Sequence, residues 1–186
     1  HFGKWHDVEV EDDVTAYFEY ENGATGVFIT TTGEYPGTNR FEVSGTKGKL
    51  TVENDELVYY KLDSDLKDYI KSATTGFTPP NSERIVVETD GENLQHVGIC
   101  RNFTNAILGT EELFVDGTEG INGVELMDAM LLSTWLDKAV NIPIDEDVYY
   151  EELKKRIKTS RRKENVVETV LDTEGTYGSI AKEKKQ

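Results

Sequence analysis

Alternating apolar and polar residues predict a series of short strands in the first half of the chain. Between positions 14 and 20 the alternation has the period of two that a half-buried strand requires. Similar patterns, rich in β-branched and aromatic residues, predict five further strands at about 24–32, 40–44, 49–53, 57–62 and 85–89. Because short turns connect most of these segments, we predict an antiparallel meander.

The turn residues support this interpretation. Asn22-Gly23 is expected to supply two positive-φ residues to a tight hairpin turn, and Asn54-Asp55 reverses the chain again. The segment 45–48 carries the glycines and lysine of a phosphate-binding loop, but it leads into a strand rather than a helix N-terminus. It is therefore predicted to be a hairpin turn. Between positions 63 and 84 the pattern weakens, and 74–81 is predicted to be a loop.

The second half of the chain has helical periodicity. Apolar residues recur at three- and four-residue spacing up to Ile107, after capping side chains at 90–93 and before a stop at Gly109. A longer stripe begins near Glu119 and continues to the segment 141–143. A third helix is expected to begin at 145–147 and to bury Tyr149, Leu153 and Ile157. Strands followed by helices predict the α+β class.

Length and charge limit the partners of this domain. The 186 residues include 20 Lys and Arg against 36 Asp and Glu, which gives a formal net charge of −16. Such a surface repels nucleic-acid phosphates and anionic lipid, so we expect neither nucleic acid nor membrane as a partner. One core suffices for this length, and we predict a domain at 1–159 with a mobile or partner-docked tail at 160–186.

Few residues suggest catalytic chemistry. The single cysteine, Cys100, fits a reducing, cytoplasmic location and is expected to pack rather than react. The three histidines have no metal-ligand spacing, so no metal site is predicted. The acidic run at 9–13 does not match a calcium loop and is expected to be solvated. No catalytic triad, carboxylate pair or dinucleotide fingerprint is present in the sequence.

One polar loop, at positions 32–40, stands between two predicted strands and carries an aromatic residue. Tyr35 offers an apolar face for a sugar ring together with a hydroxyl, while Asn39 and Arg40 can bind hydroxyls or carboxylates. Turn chemistry explains the glycines and the proline, but not the tyrosine and the arginine. The loop either lines a small-molecule cleft or is an ordinary loop with a solvent-facing arginine.

The order and spacing of several segments resemble the C-terminal domain of Gfo/Idh/MocA oxidoreductases, a family that includes glucose-fructose oxidoreductase and inositol dehydrogenase. The similarity covers about 8–157, and its segments are 10–16, 20–26, Tyr35-Pro36-Gly37-Thr38-Asn39-Arg40, 43–50, His96, 102–103, 106–109, 116–117, 131–133 and 142–145. No single segment is diagnostic, and the similarity depends on their order.

The resemblance implies a large, mostly antiparallel sheet with helices packed on one face, of the glyceraldehyde-3-phosphate dehydrogenase-like type. It implies the substrate-binding and oligomerisation domain of an NAD(P)-dependent oxidoreductase acting on a sugar, polyol or related hydroxyl compound. The family's Rossmann domain and its catalytic lysine and histidine motifs precede this region and are missing from the sequence. We therefore expect the fragment alone to bind no NAD or NADP and to be inactive.

The resemblance also implies site residues and assembly. Tyr35 falls in the loop from which similar family members direct a tyrosine to the substrate, and Asn39, Arg40 and His96 flank the same expected cleft. The other face of the sheet implies a homodimer or homotetramer. Because the sequence opens at His1, directly before the meander, we expect it to belong to a longer chain. The alternative is a self-standing, non-catalytic sugar-binding or assembly module.

Overall fold

The computed structural model describes residues 1–92 and 94–164. The elements are β1 (Asp13–Glu19), β2 (Thr25–Thr31), β3 (Arg40–Gly45), β4 (Gly48–Glu53), β5 (Glu56–Leu62), α1 (Leu66–Ser72), β6 (Ser82–Val87), α2 (Gln95–Ile107), a 3₁₀ turn at Gly117–Glu119, α3 (Gly120–Leu136) and α4 (Glu146–Thr159). Apart from the short helix α1 between β5 and β6, the strands of the described residues precede the helices, which confirms the predicted α+β class. The chain divides into two compact units, His1–Leu126 and Met127–Gln186.

The strands of the first unit form two antiparallel sheets. β1 and β2 pair with each other, and β3, β4, β5 and β6 form a four-stranded meander in chain order. The predicted strands thus occur close to their expected positions, because alternation over five to seven residues is a strong local signal. The loop at 32–39 connects the two sheets.

The hairpin turns differ from the prediction at one position. The β1–β2 turn has a three-residue loop, in which the Gly23 N–H donates to the Tyr20 carbonyl at 2.8 Å and only Gly23 has a positive φ, of 83°. The predicted pair of positive-φ residues at Asn22-Gly23 is therefore wrong. That pair occurs instead at Asn54 (φ 53°) and Asp55 (φ 61°), between β4 and β5. The segment 45–48 is the predicted hairpin turn, with Gly45 paired to Gly48.

The two faces of the four-stranded sheet differ in burial. Thr51 and Val58 are cross-strand partners on one face, and both are buried. Neighbouring side chains point to opposite faces of a strand, so Val52 and Leu50 lie on the other face. There they pair with Phe41 and Val43 of β3, and all four of these apolar side chains are exposed. The sheet therefore has one largely uncovered apolar face.

Helix α1 was not predicted from the sequence. It has only seven residues, and its start depends on Asp65, whose carboxylate accepts a hydrogen bond from the Lys67 N–H at 2.9 Å and another from the Thr46 hydroxyl at 2.8 Å. Helix α2 ends before Gly109 (φ 71°), as predicted. Its N-cap residue is Leu94, which makes no side-chain cap, so the predicted polar cap is wrong.

In the second unit, an aromatic contact joins α3 to α4. Ala129 and Leu132 of α3 are buried, and the Trp135 ring stacks on Tyr149 of α4 at a centroid distance of 5.3 Å. Arg156 lies over the same indole at 4.1 Å. Asp145 caps α4 by accepting from the Val148 N–H at 3.1 Å, which confirms the predicted helix start.

Two further predictions about the helices differ from the structure. α3 ends at Leu136, before the segment 141–143, because Asp137 has a positive φ of 51°. Ile157, which was predicted to be buried, is exposed. Of the predicted tail at 160–186, residues 165–186 lie outside the part of the chain that the structure describes.

Candidate functional site

The loop at 32–39 leaves β2 and enters β3, and it carries the most exposed tyrosine among the described residues. The Tyr35 side chain is 98% exposed, and its peptide bond to Pro36 is cis. The loop is held internally, because the Gly33 N–H donates to the Thr31 hydroxyl at 3.1 Å and the Thr38 hydroxyl donates to Glu34 at 3.1 Å. Tyr35 is thus presented on a partly fixed loop with its aromatic face and hydroxyl free of packing.

Asn39 lies in a small cavity beside this loop. The cavity has a volume of about 300 Å³ and is lined by Gly37, Thr38, Asn39, Phe41, Val52, Glu53, Asn54 and Asp55. Amide and carboxylate groups stand there next to an aromatic ring, a combination that suits a hydroxylated ring compound. Of the predicted site residues, Asn39 alone is among those that line it.

Arg40 is not among the lining residues of the cavity, but its ion-pair partner Glu53 is. Its guanidinium donates to Glu53 at 3.2 Å across the β3–β4 pair and to Glu42 at 2.5 Å. The hydrogen bond from Arg40 is the main cause of a lowered pKa of Glu42, and Lys49 lies 3.5 Å from the same carboxylate. Arg40 is therefore committed to an ion-pair network on the sheet, and a ligand would have to compete with two carboxylates for it.

His96 lies in the first turn of α2, where its side chain is exposed. Neither His96 nor Tyr35 is among the residues that line the cavity of Asn39. The cavity therefore contains both Asn39 and Glu53, the ion-pair partner of Arg40. The structure does not bring all four predicted site residues together. Their roles in substrate binding stay predictions.

The acidic run at 9–13 contains a feature that sequence reasoning missed. Asp12 was expected to be solvated, but only 6% of it is exposed. Its carboxylate accepts three backbone hydrogen bonds, from the N–H groups of Lys4 (2.9 Å), Trp5 (2.7 Å) and His6 (2.9 Å). The expectation was wrong because the donors are main-chain groups six to eight residues away, which side-chain composition does not reveal.

The protonation of Asp12 reflects these bonds. Burial of the carboxyl is the largest single influence and raises its pKa, but the N–H groups of Trp5, Lys4 and His6 together lower it further. The net result is a pKa of about 2, against an ordinary value of 3.8. Asp12 is consequently a fixed negative charge under ordinary conditions, and it is not suited to proton transfer near neutral pH.

The segment bound by Asp12 also contacts the start of the Tyr35 loop. A ring nitrogen of His6 lies 3.0 Å from the Thr32 hydroxyl and 3.4 Å from the Asp12 carboxylate. The Asp12 carbonyl accepts the Thr32 N–H at 3.0 Å. Hydrogen bonds of His6, Asp12 and Thr32 therefore connect the N-terminal segment, the β1–β2 pair and the start of the Tyr35 loop.

Other candidate chemistry lies outside this region. No group of three or more His, Cys, Asp or Glu side chains among the described residues could hold a metal ion. Cys100 is exposed, so its predicted packing role is wrong. Within 1–92 and 94–164, no helix is long and apolar enough to cross a lipid bilayer.

Comparison with known proteins bears on the first part of the chain. No curated protein matches this chain. The family model of the GFO/IDH/MocA C-terminal domain matches residues 1–51, a stretch that includes the Asp12 contacts, β1, β2, β3 and the Tyr35 loop. The resemblance to a Gfo/Idh/MocA family C-terminal domain is thereby confirmed over residues 1–51.

Proposed function

We propose that this chain is the substrate-binding and oligomerisation domain of an NAD(P)-dependent oxidoreductase acting on a sugar, polyol or related hydroxyl compound. The observation that carries this proposal is the exposed Tyr35 on a loop inside the stretch that matches the family model. A tyrosine ring packs against the C–H face of a sugar, and its hydroxyl binds a ring hydroxyl.

The nicotinamide cofactor is assigned to another domain. The glycine-rich segment 45–48 enters β4 as a hairpin, so its N–H groups do not point at a pyrophosphate from the start of a helix. This segment therefore does not fit the pyrophosphate of a dinucleotide. The contribution of this chain is to orient the carbinol and to exclude water from it.

Assembly is proposed through the uncovered face of the β3–β6 sheet. Phe41 is 68% exposed and Val43 is 50% exposed, and Leu50 and Val52 extend the same surface. Contiguous apolar surface of this kind is unfavourable in water and is typical of interaction surfaces. We propose a second copy of the chain as its partner, in a homodimer or homotetramer.

The test of substrate binding uses the enzyme that combines this chain with its nicotinamide-binding domain. Tyr35→Ala should raise the KM for the preferred sugar or polyol by roughly tenfold, which corresponds to about 1.4 kcal/mol of lost binding, and should leave the KM for NAD(P) unchanged. Tyr35→Phe separates the contribution of the hydroxyl from that of the ring. The matched control is Tyr20→Ala, which removes an exposed tyrosine from a different loop. Unchanged kinetics in Tyr35→Ala would contradict the proposal.

A further inference from the structure

The contacts of Asp12 reach the base of the Tyr35 loop through Trp5. Asp12 binds the Trp5 N–H at 2.7 Å, and this bond fixes the backbone from which the indole projects. The indole N–H donates to Asp13 at 3.3 Å, and the Lys4 ammonium lies 4.9 Å from the ring centroid. Although Trp5 is 52% exposed, its ring is held from several directions.

The ring held in this way lies directly on Gly33. A Cβ atom built at Gly33 would overlap the Cε2, Cδ2 and Nε1 atoms of the indole. Gly33 is the second residue after the end of β2 at Thr31, and it precedes Tyr35 by two positions in the loop. The absence of a side chain at Gly33 is therefore what allows the indole to sit against the start of the loop.

We propose that Asp12 is a positioning residue for the Tyr35 loop, acting through the backbone of Lys4, Trp5 and His6 and through the Trp5 indole on Gly33. The functional part of this inference rests on the function proposed above. Asp12 does not touch substrate. It holds the segment that fixes one end of the loop, while the Arg40 ion pairs with Glu42 and Glu53 hold the other end.

Chemistry explains why a carboxylate is needed at this position. Its two oxygens accept all three N–H groups, with Lys4 on one oxygen and both Trp5 and His6 on the other. An asparagine has one acceptor oxygen, and its NH₂ group would face backbone donors. Asp12→Asn therefore keeps the size of the side chain but loses both the charge and at least one of the three bonds.

The first experiment measures release of the loop by cleavage after Glu34 with a glutamate-specific protease. Asp12→Asn should accelerate cleavage after Glu34 by at least about tenfold, because local opening becomes easier. Cleavage after Glu56, at the start of β5, requires opening of the strand that pairs with both β4 and β6, and it therefore reports whether the β3–β6 sheet unfolds. Glu11→Gln is the matched control, since it removes the same charge from the residue before Asp12, whose carboxylate accepts none of the three N–H groups. It should have a smaller effect, and equal cleavage after Glu34 in the wild type and Asp12→Asn would overturn the proposal.

A second experiment keeps the proposal testable if Asp12→Asn accelerates cleavage at both sites. Gly33→Ala should destabilise the wild-type chain, because the new Cβ displaces the indole. The same change should cost little in a Trp5→Ala background, where the ring is gone, and little in an Asp12→Asn background, where the ring is released. Strictly additive effects of Asp12→Asn and Gly33→Ala in urea unfolding would show that Asp12 does not hold Trp5 on Gly33.

The functional arm uses the enzyme that contains this chain and its best sugar or polyol. Asp12→Asn should raise the KM for that compound and leave the KM for NAD(P) unchanged. Added to Tyr35→Ala, it should raise the KM no further, since the loop then has no tyrosine to position. A further increase would contradict action through Tyr35. If Tyr35→Ala alone leaves the KM unchanged, the proposed function fails, while the cleavage and unfolding experiments still decide whether Asp12 positions the loop.

Discussion

A nearly buried charge at Asp12 is tolerated because main-chain dipoles replace the water that solvates a carboxylate in the unfolded chain. Burial of an unpaired carboxylate is strongly unfavourable, but three N–H donors satisfy its lone pairs. The Lys4 ammonium forms its ion pair with the next carboxylate along the chain, Asp13. The charge of Asp12 is therefore stabilised by backbone geometry, and that geometry exists only while the segment 4–6 is folded around it.

This arrangement predicts a pH dependence of stability. The pKa of Asp12 is about 2 in the folded chain and near 3.8 when unfolded, so the unfolded state binds more protons between these values. The contribution of Asp12 to the free energy of unfolding should be complete above about pH 5 and should be lost progressively as the pH falls through about 2. Urea unfolding of the wild type and Asp12→Asn across this range measures the effect.

The comparison of these two proteins isolates Asp12 from the other acidic groups. Asp13, Asp63 and Asp65 also have lowered pKa values, but they titrate in both proteins. The difference in free energy of unfolding between wild type and Asp12→Asn should therefore shrink with acidification. A difference that stays constant from about pH 5 to about pH 2 would mean that the backbone bonds do not depend on the charge.

Among the elements, the β4–β5 hairpin places two non-glycine residues in the left-handed region. Asn54 and Asp55 both have positive φ values, which L-residues adopt at a cost that glycine avoids. Asp55→Gly should raise the free energy of unfolding by about 0.5 kcal/mol, and Asp55→Ala should lower it by about 1 kcal/mol. Chemical denaturation of the three proteins checks both values. An increase in stability on Asp55→Ala would contradict the left-handed turn.

Local patterns predicted the elements better than the contacts between them. Each strand of the described residues was predicted close to its position, because side chains two residues apart share a face whatever the rest of the chain does, although β6 begins three residues earlier than predicted. Helix α1 was missed because it has only seven residues, and its N-cap Asp65 also accepts a bond from Thr46, which lies 19 positions earlier. The contacts of Asp12 were missed because their donors are main-chain groups six to eight residues away, and the length of the Asn22-Gly23 turn was misjudged because that dipeptide also suits a three-residue loop.

At the scale of the whole molecule, the candidate site was only partly predictable. The loop with Tyr35 could be located because Gly and Pro interrupt a strand pattern, and its aromatic residue stands out there. The ion pairs of Arg40 could not be foreseen, since they require the register in which Arg40 faces Glu53 across β3 and β4. A register shift by one residue would have placed the guanidinium on the opposite face of the sheet.

The uncovered face of the β3–β6 sheet gives a prediction about assembly. Val43 lies on this apolar face, whereas Ser44, the next residue of the same strand, points to the opposite face. If a second copy covers the apolar face, Val43→Lys places a charge inside the interface and should convert the assembly to single chains. Ser44→Lys adds the same charge in the same strand and should leave the assembly intact.

Light scattering over a range of protein concentrations measures this difference. The wild type and Ser44→Lys should approach the mass of at least two chains as concentration rises, and Val43→Lys should stay near 21.0 kDa. Circular dichroism of both variants verifies that the strands are retained, because a lysine at either position can extend its charged group into water in a single chain. A wild-type mass of one chain at every concentration would exclude self-association through this face. Loss of association in both variants would instead point to a contact along β3, the edge strand that carries both residues, and would contradict assembly through the apolar face alone.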